Sequence, residues 1–154
     1  MEMRKVFTIG VIISTYNSPK WLEKVLWGYQ NQDVAPDEIV IADDGSRDDT
    51  RELIERYAKV LPIKHVWHED RGFQKSQILN KAIVASTADY LIFTDQDCIP
   101  RKDFVAVHKE RAEKGYFLSG ELHKLTSCKI GKGAVACGKV IARFLATGPR
   151  SGVG

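Results

Sequence analysis

The chain has 154 residues, 44% apolar and 28% charged, which suits one hydrophobic core and excludes a low-complexity polymer. Net charge is +3, but all twenty acidic residues lie at or before Glu121, alongside seventeen of the basic ones. The other six basic residues (Lys124, Lys129, Lys132, Lys139, Arg143 and Arg150) make the remainder purely basic, a solvated or partly disordered segment by composition.

In chain order, "VFTIGVIIS" (Val6–Ser14) is rich in β-branched residues and predicts a buried strand. Ser18 followed by Pro19 predicts a helix start with a hydroxyl cap, and Leu22, Val25, Leu26 and Tyr29 carry an apolar stripe to about Asn31. A second strand is predicted over Glu38–Ala42, then a helix from Asp48 to Leu61 with Leu53, Ile54, Tyr57 and Val60 or Leu61 inward. Pro62 ends that helix, and "IKHVW" predicts a third strand. "KSQILNKAIVAST" predicts a helix with Ile78, Leu79, Ala82 and Ile83 inward. Tyr90–Phe93 is a fourth strand, "RKDFVAVHKERAEKG" a fourth helix and "YFLSG" a further strand. The alternation implies an α/β fold, an open, mostly parallel, Rossmann-like sheet flanked by helices.

In such sheets ligands bind outside the carboxyl ends of the strands. Four polar clusters fall there: Ser14-Thr15-Tyr16-Asn17, Asp43-Asp44-Gly45-Ser46, His68-Glu69-Asp70-Arg71 and Asp95-Gln96-Asp97. Asp43 and Asp44 either cap the following helix or face the site, and Gly45 supplies a turn with positive φ. In an extended segment Asp95 and Asp97 point to the same side, where their like charges call for a cation or strong donors. Hard cations such as Mn2+ or Mg2+ suit carboxylate oxygens, and two are too few for a structural metal, so the ligand completes the shell; a diphosphate fits. Arg71, Lys75 and Lys81 are candidate phosphate contacts, with a solvated helix face as the alternative for each lysine and the preferred reading for Lys81. No GxGxxG, GxxxxGK[ST], GxSxG or HExxH pattern occurs, which removes the usual support for dinucleotide, P-loop, serine-hydrolase and zinc-protease readings.

Taken together, "VIISTYN", "IVIADDGSRDDT", "HEDRGFQKSQILNKAI" and "DYLIFTDQDCIP" resemble the nucleotide-sugar half of a family 2 glycosyltransferase with the GT-A fold, over about Val6 to Gly120. The resemblance implies an inverting, metal-dependent transferase with a nucleotide-sugar donor, commonly a UDP-sugar, and a glycan or polysaccharide acceptor. It implies that Ser14, Tyr16 and Asn17 line the nucleotide pocket, that Asp44 hydrogen-bonds the base and that Asp43 supports the loop. Asp95 would meet the ribose or the metal, Asp97 the Mn2+ or Mg2+, and Arg71 and Asn80 would flank the phosphates or sugar. The wording of the third and fourth motifs is similar to members that use galactose or N-acetylgalactosamine donors.

The sequence departs from that family in one respect. An inverting transferase needs a carboxylate to deprotonate the acceptor, supplied in this family by the second half of the domain, yet no Asp or Glu follows Glu121. The expectation is a donor-binding domain over 1–121 and a basic segment over 122–154, as in a truncated chain, with a donor-binding module lacking transfer activity as the alternative. A nucleotidyltransferase would need a Gly-rich basic signature after the first strand, which "STYNSPKW" does not supply. Nucleic acid is not an expected partner.

Val135, Val140, Ile141, Phe144 and Leu145, with Lys139 and Arg143, predict either a basic amphipathic helix on a membrane surface or a cover for a sheet face. Self-association would hide such a face equally well. Cys98, Cys128 and Cys137 form no CxxC pair, which fits a reducing compartment and argues against a disulfide framework or zinc ribbon. The Val6–Ile13 run is too short to span a bilayer and lacks a signal-peptide cleavage site, so a cytoplasmic location is expected.

Overall fold

The computed structural model describes residues 6–124 and 139–147, with side chains for 6–122. Its first sheet is built from β1 (Ile9–Thr15), β2 (Glu38–Asp43), β3 (Ile63–Trp67) and β4 (Tyr90–Asp95). They run in the spatial order β3-β2-β1-β4, all parallel. Three helices connect them: α1 (Pro19–Gln30), α2 (Asp48–Tyr57) and α3 (Lys75–Ala85). After β4 come β5 (Cys98–Pro100), α4 (Phe104–Arg111) and β6 (Phe117–Lys124), and residues 139–147 form β7. No helix among the described residues is long and apolar enough to cross a membrane.

Every residue of β1 and β2 is buried, because each strand has neighbours on both edges and helices on both faces. Side-chain alternation divides their apolar residues into two layers. Val11, Ile13, Ile39 and Ile41 pack with Leu22, Val25 and Leu26 of α1 and with Leu53 and Ile54 of α2. Ile12, Val40 and Ala42 face Ile78 and Ala82 of α3. The central register sets Ser14 opposite Ala42 on one side and Asp95 on the other, so the carboxyl ends of β1, β2 and β4 finish level.

The second sheet has the order β5-β7-β6, with β7 parallel to β5 and antiparallel to β6. Gly28 lets β5 approach α1: a Cβ there would lie 2.7 Å from Cδ of Pro100. Residues 139–147 are therefore strand, not the amphipathic helix that their spacing allowed; pairing with both β5 and β6 outweighs the helical stripe. Val135, Cys128 and Cys137 lie outside the described residues.

Several element ends differ from their sequence expectations. The Ser18 hydroxyl makes no capping bond; its carbonyl instead accepts the Leu22 N–H at 3.0 Å. α2 stops at Tyr57, four residues short of Leu61, whose place before Pro62 resists helical backbone, and the chain turns with Leu61 buried and Val60 exposed. Ile83 is exposed, since α3 presents Ile78 and Ala82 inward. Phe93 is 53% exposed, because β4 is an edge strand and α3 lies over β1, β2 and β3. α4 is likewise shorter than its pattern, and β5 had no sequence signal.

Glu38, buried at the start of β2, joins α3 to the sheet. Its carboxylate accepts the Ser86 hydroxyl at 2.5 Å and the Thr87 N–H at 3.2 Å, and pairs with Lys64 Nζ at 2.6 Å. Burial alone would raise its pKa, but these donors outweigh it and hold the group below the ordinary carboxylate range. A depressed carboxylate contributes stability above its unfolded pKa and loses it as pH falls. We therefore expect melting temperature to fall between about pH 6 and pH 4 more steeply in the wild type than in Glu38→Gln, with the variant less stable at neutral pH. Parallel melting curves for the two proteins would exclude this role for Glu38.

Candidate functional site

Where β1, β2 and β4 end, a cavity of about 370 Å3 opens, lined by β-strand ends and by the 72–78 segment. Three loops give it its shape, and each is fixed by side-chain bonds to backbone.

The loop after β2 turns on Asp43, which is 1% exposed. Its Oδ1 accepts the Ser46 N–H at 2.8 Å and its Oδ2 the His65 Nε2–H at 2.7 Å. Burial pushes this carboxyl up, but those bonds prevail and leave it below the ordinary range. Gly45 follows with φ +94°, and a Cβ there would lie 2.6 Å from both Cα and N of Asp70, so the β2 and β3 loops touch through a glycine. Asn17, also at positive φ, locks the β1 loop onto the same turn. Its N–H donates to Ser46 Oγ at 2.8 Å, and its side-chain oxygen accepts the Arg47 N–H at 2.9 Å.

Asp44, next to Asp43, lines the cavity. Its two oxygens accept His68 Nε2–H at 2.5 Å and the Gln74 N–H at 2.9 Å, and Lys81 Nζ donates to the other ring nitrogen of His68 at 3.2 Å. That arrangement keeps the proton on Nε2 and the carboxylate as an acceptor.

The β4 loop carries the carboxylate pair. Asp95 Oδ1 accepts Ser14 Oγ–H at 2.6 Å and Lys75 Nζ at 2.7 Å. Between the two aspartates, Gln96 Oε1 accepts both the Thr15 hydroxyl at 2.7 Å and the Tyr16 N–H at 2.9 Å, which ties this loop to the end of β1. Carboxylate oxygens of Asp95 and Asp97 and the Cys98 thiol lie within 4.8 Å of one another. Burial, with the neighbouring Asp95 and Asp97 carboxylates, raises the Cys98 pKa. Tyr16 leans over the rim, its hydroxyl donating to Asp70 Oδ2 at 2.8 Å, and that bond raises its pKa.

The structure therefore brings Ser14, Tyr16, Asp44, Asp95 and Asp97 to one cavity with Lys75. Asn17 and Asp43 hold loops instead of lining it. Arg71 pairs with Glu69 at 3.0 Å on the surface, and Asn80 lies on an exposed face of α3; neither is among the cavity's lining residues. Sequence reasoning gave no role to Thr15, Gln96, Gly72 or Phe73, all of which line it. Phe73, 88% exposed, could have been flagged as an aromatic beside a glycine of positive φ in a polar loop.

An open parallel sheet flanked by helices, with a polar cavity at its carboxyl edge, is the architecture of the GT-A glycosyltransferase fold. The chain belongs to the family described as "Glycosyl transferase family 2", whose profile matches residues 10–122. It is 33% identical over 99 residues to validoxylamine A glucosyltransferase of Streptomyces hygroscopicus subsp. limoneus, covering 63% of this chain and 22% of that protein. Among solved structures, the mannosyltransferase PcManGT of Pyrobaculum calidifontis, in complex with GDP-Man and Mn2+, superposes with a TM-score of 0.63 at 29% identity, over 73% of this chain and 34% of its own. Residues 1–349 of S. aureus TarS, in complex with UDP, give 0.54 at 30% identity, over 58% and 27%.

Gly45→Ala tests how the loops are joined. It places a methyl group against the Asp70 backbone and an alanine at positive φ, and should cost about 1–3 kcal/mol. A melting temperature equal to that of the wild type would show that the two loops are not locked together there.

Proposed function

We propose that this chain binds the nucleoside diphosphate of a sugar donor and serves an inverting, metal-dependent glycosyltransferase, with a UDP-sugar as donor and a glycan or polysaccharide as acceptor. The observation that carries the reading is that Asp44, Asp95, Asp97 and Lys75 line one cavity, with Lys75 Nζ 2.7 Å from Asp95 Oδ1. Family membership supports it, as do the GDP-Man and Mn2+ bound by the mannosyltransferase and the UDP bound by TarS.

The residues present fit a divalent cation: two hard oxygen donors on one loop, with room for a ligand's phosphates to complete the shell. Asp97 and Asp95 would hold it. When bound, such an ion supplies Lewis-acid stabilisation of the departing diphosphate. The chain's own groups do the rest of the donor binding. Asp44, held as an acceptor, is placed to take an N–H from the base. Tyr16 offers a ring face at the rim, and Ser14 holds Asp95 in place. The start of α3 adds favourable dipole and charge for the diphosphate. Arg71 and Asn80 flank the phosphates or sugar only if the segment after β3 closes over the ligand.

One observation favours a second reading. The carboxylates that line the cavity, Asp44, Asp95 and Asp97, all take donor-side roles in this scheme, so none remains to accept the proton of an acceptor hydroxyl. On that reading the chain is a donor-binding module. Hydrolysis or transfer from a UDP-sugar above a metal-only control would exclude it.

The primary reading is tested by a thermal-shift titration with UDP and Mn2+. Saturation at a hundredfold excess over Kd should stabilise the wild type by about 2.7 kcal/mol. Asp97→Asn should melt like the unliganded wild type and show no shift. A shift of equal size in the variant, or none in the wild type with UDP, GDP or dTDP, would overturn the assignment.

A further inference from the structure

Lys75 occupies the first position of α3, and its position relative to the carboxylate pair has a consequence for how ligands enter. Its Nζ donates to Asp95 Oδ1 at 2.7 Å, and the same oxygen accepts the Ser14 hydroxyl at 2.6 Å. Two strong donors already meet that oxygen. Neither member of the ion pair is deeply buried: the side chains are 40% and 49% exposed, and both line the cavity. Ion pairs at such exposure are weak and exchange partners readily. A lysine is suited to exchange, since its ammonium is a compact charge on a flexible stem.

We propose that Lys75 is a place-holding cation: it neutralises Asp95 while the cavity is without donor and transfers to the diphosphate when nucleotide enters, so that the divalent ion and the nucleotide bind as a coupled pair. The inference rests on the donor-site reading and adds a residue and an order of events to it. The electrostatics follow from charge alone. A divalent ion that approaches Asp95 and Asp97 by itself meets a positive ammonium on one of its two ligands, and must compete with it for that carboxylate. A diphosphate supplies that receiver. Once Lys75 pairs with a phosphate oxygen, Asp95 regains an acceptor position and repulsion between the two cations is offset by the anion they share. Coupling of this kind is reciprocal: nucleotide raises affinity for the ion by the same factor as the ion raises affinity for nucleotide.

Lys75 is thereby a positioning residue for the cation site, and its substitution has effects of opposite sign on the two ligands. The test is Mn2+ binding to the full chain, followed by the electron paramagnetic resonance of free Mn2+, with and without UDP. In the wild type, UDP should tighten Mn2+ binding by about tenfold or more. In Lys75→Gln, Mn2+ alone should bind about tenfold more tightly than to the wild type, while UDP in saturating Mn2+ binds about tenfold more weakly. Lys75→Arg, which keeps the charge, should restore the wild-type coupling. Gln is a good helix former at a half-exposed position, so both variants should melt cooperatively near the wild type. Mn2+ binding to Lys75→Gln that is no tighter than to the wild type, or a loss of both affinities together, overturns the place-holding role. Absence of Mn2+ uptake in every protein even with UDP overturns the donor-site reading itself and this inference with it.

Discussion

Ser14 is paired with Ala42 on one side and with Asp95 on the other, and the cavity depends on that double register. Because both neighbours run parallel to β1, the three strands release their chains at one edge, where polar groups can gather without crossing the core. The Ser14 hydroxyl converts a backbone register into a side-chain bond, fixing the first carboxylate of the pair to the central strand. A shift of β4 by one residue would turn Asp95 to the opposite face and break that bond. Asp43, Gly45 and Asn17 do for the neighbouring loops what Ser14 does for this one. Their contacts are largely with backbone, so they define loop shape, whereas Asp44, Asp95 and Asp97 present chemistry to the space between.

Much of this was legible in the sequence, and the reason is physical. β1 and β2 are buried on both faces, which demands continuous β-branched runs, and such runs are hard to mistake. α1 and α2 each show one apolar stripe because each covers one face of the sheet. The polar clusters were visible because a buried strand must end abruptly before its chain can reach water. What the sequence concealed depended on pairing between distant segments. Residues 139–147 carry a stripe at helical spacing, yet two strand partners fix them as β7. β5 is three residues long and exists only because β7 lies beside it. Asn17 read as a pocket-lining residue until its partners Ser46 and Arg47 could be seen, whereas the loop-supporting part expected of Asp43 has its partners in Ser46 and His65.

Loop geometry also separates residues that one motif groups together. Within "DDGS", Asp43 faces into the protein and Asp44 into the cavity, so adjacent identical residues have different duties. Within "DQD", Gln96 is as structural as its flanking aspartates are chemical. Its amide oxygen gathers two donors from the β1 loop and holds the rim of one strand against the next. A pattern that leaves the middle position open would miss this. Arg71 and Asn80, by contrast, belong to motifs that resemble the family and still lie outside the cavity as its loops stand.

The Ser14–Asp95 bond also has a kinetic consequence. It joins residues 81 apart in sequence, and the Thr15–Gln96 bond spans the same interval. Closing so long a loop has an entropic cost that must be met before the contact stabilises anything, so pairing of this kind slows folding. The segment up to Trp67 can form three strands and two helices while the acidic loop is still being synthesised. The cavity, unlike the helices, thus has no local precursor, and it is completed only when the fourth strand docks beside the first.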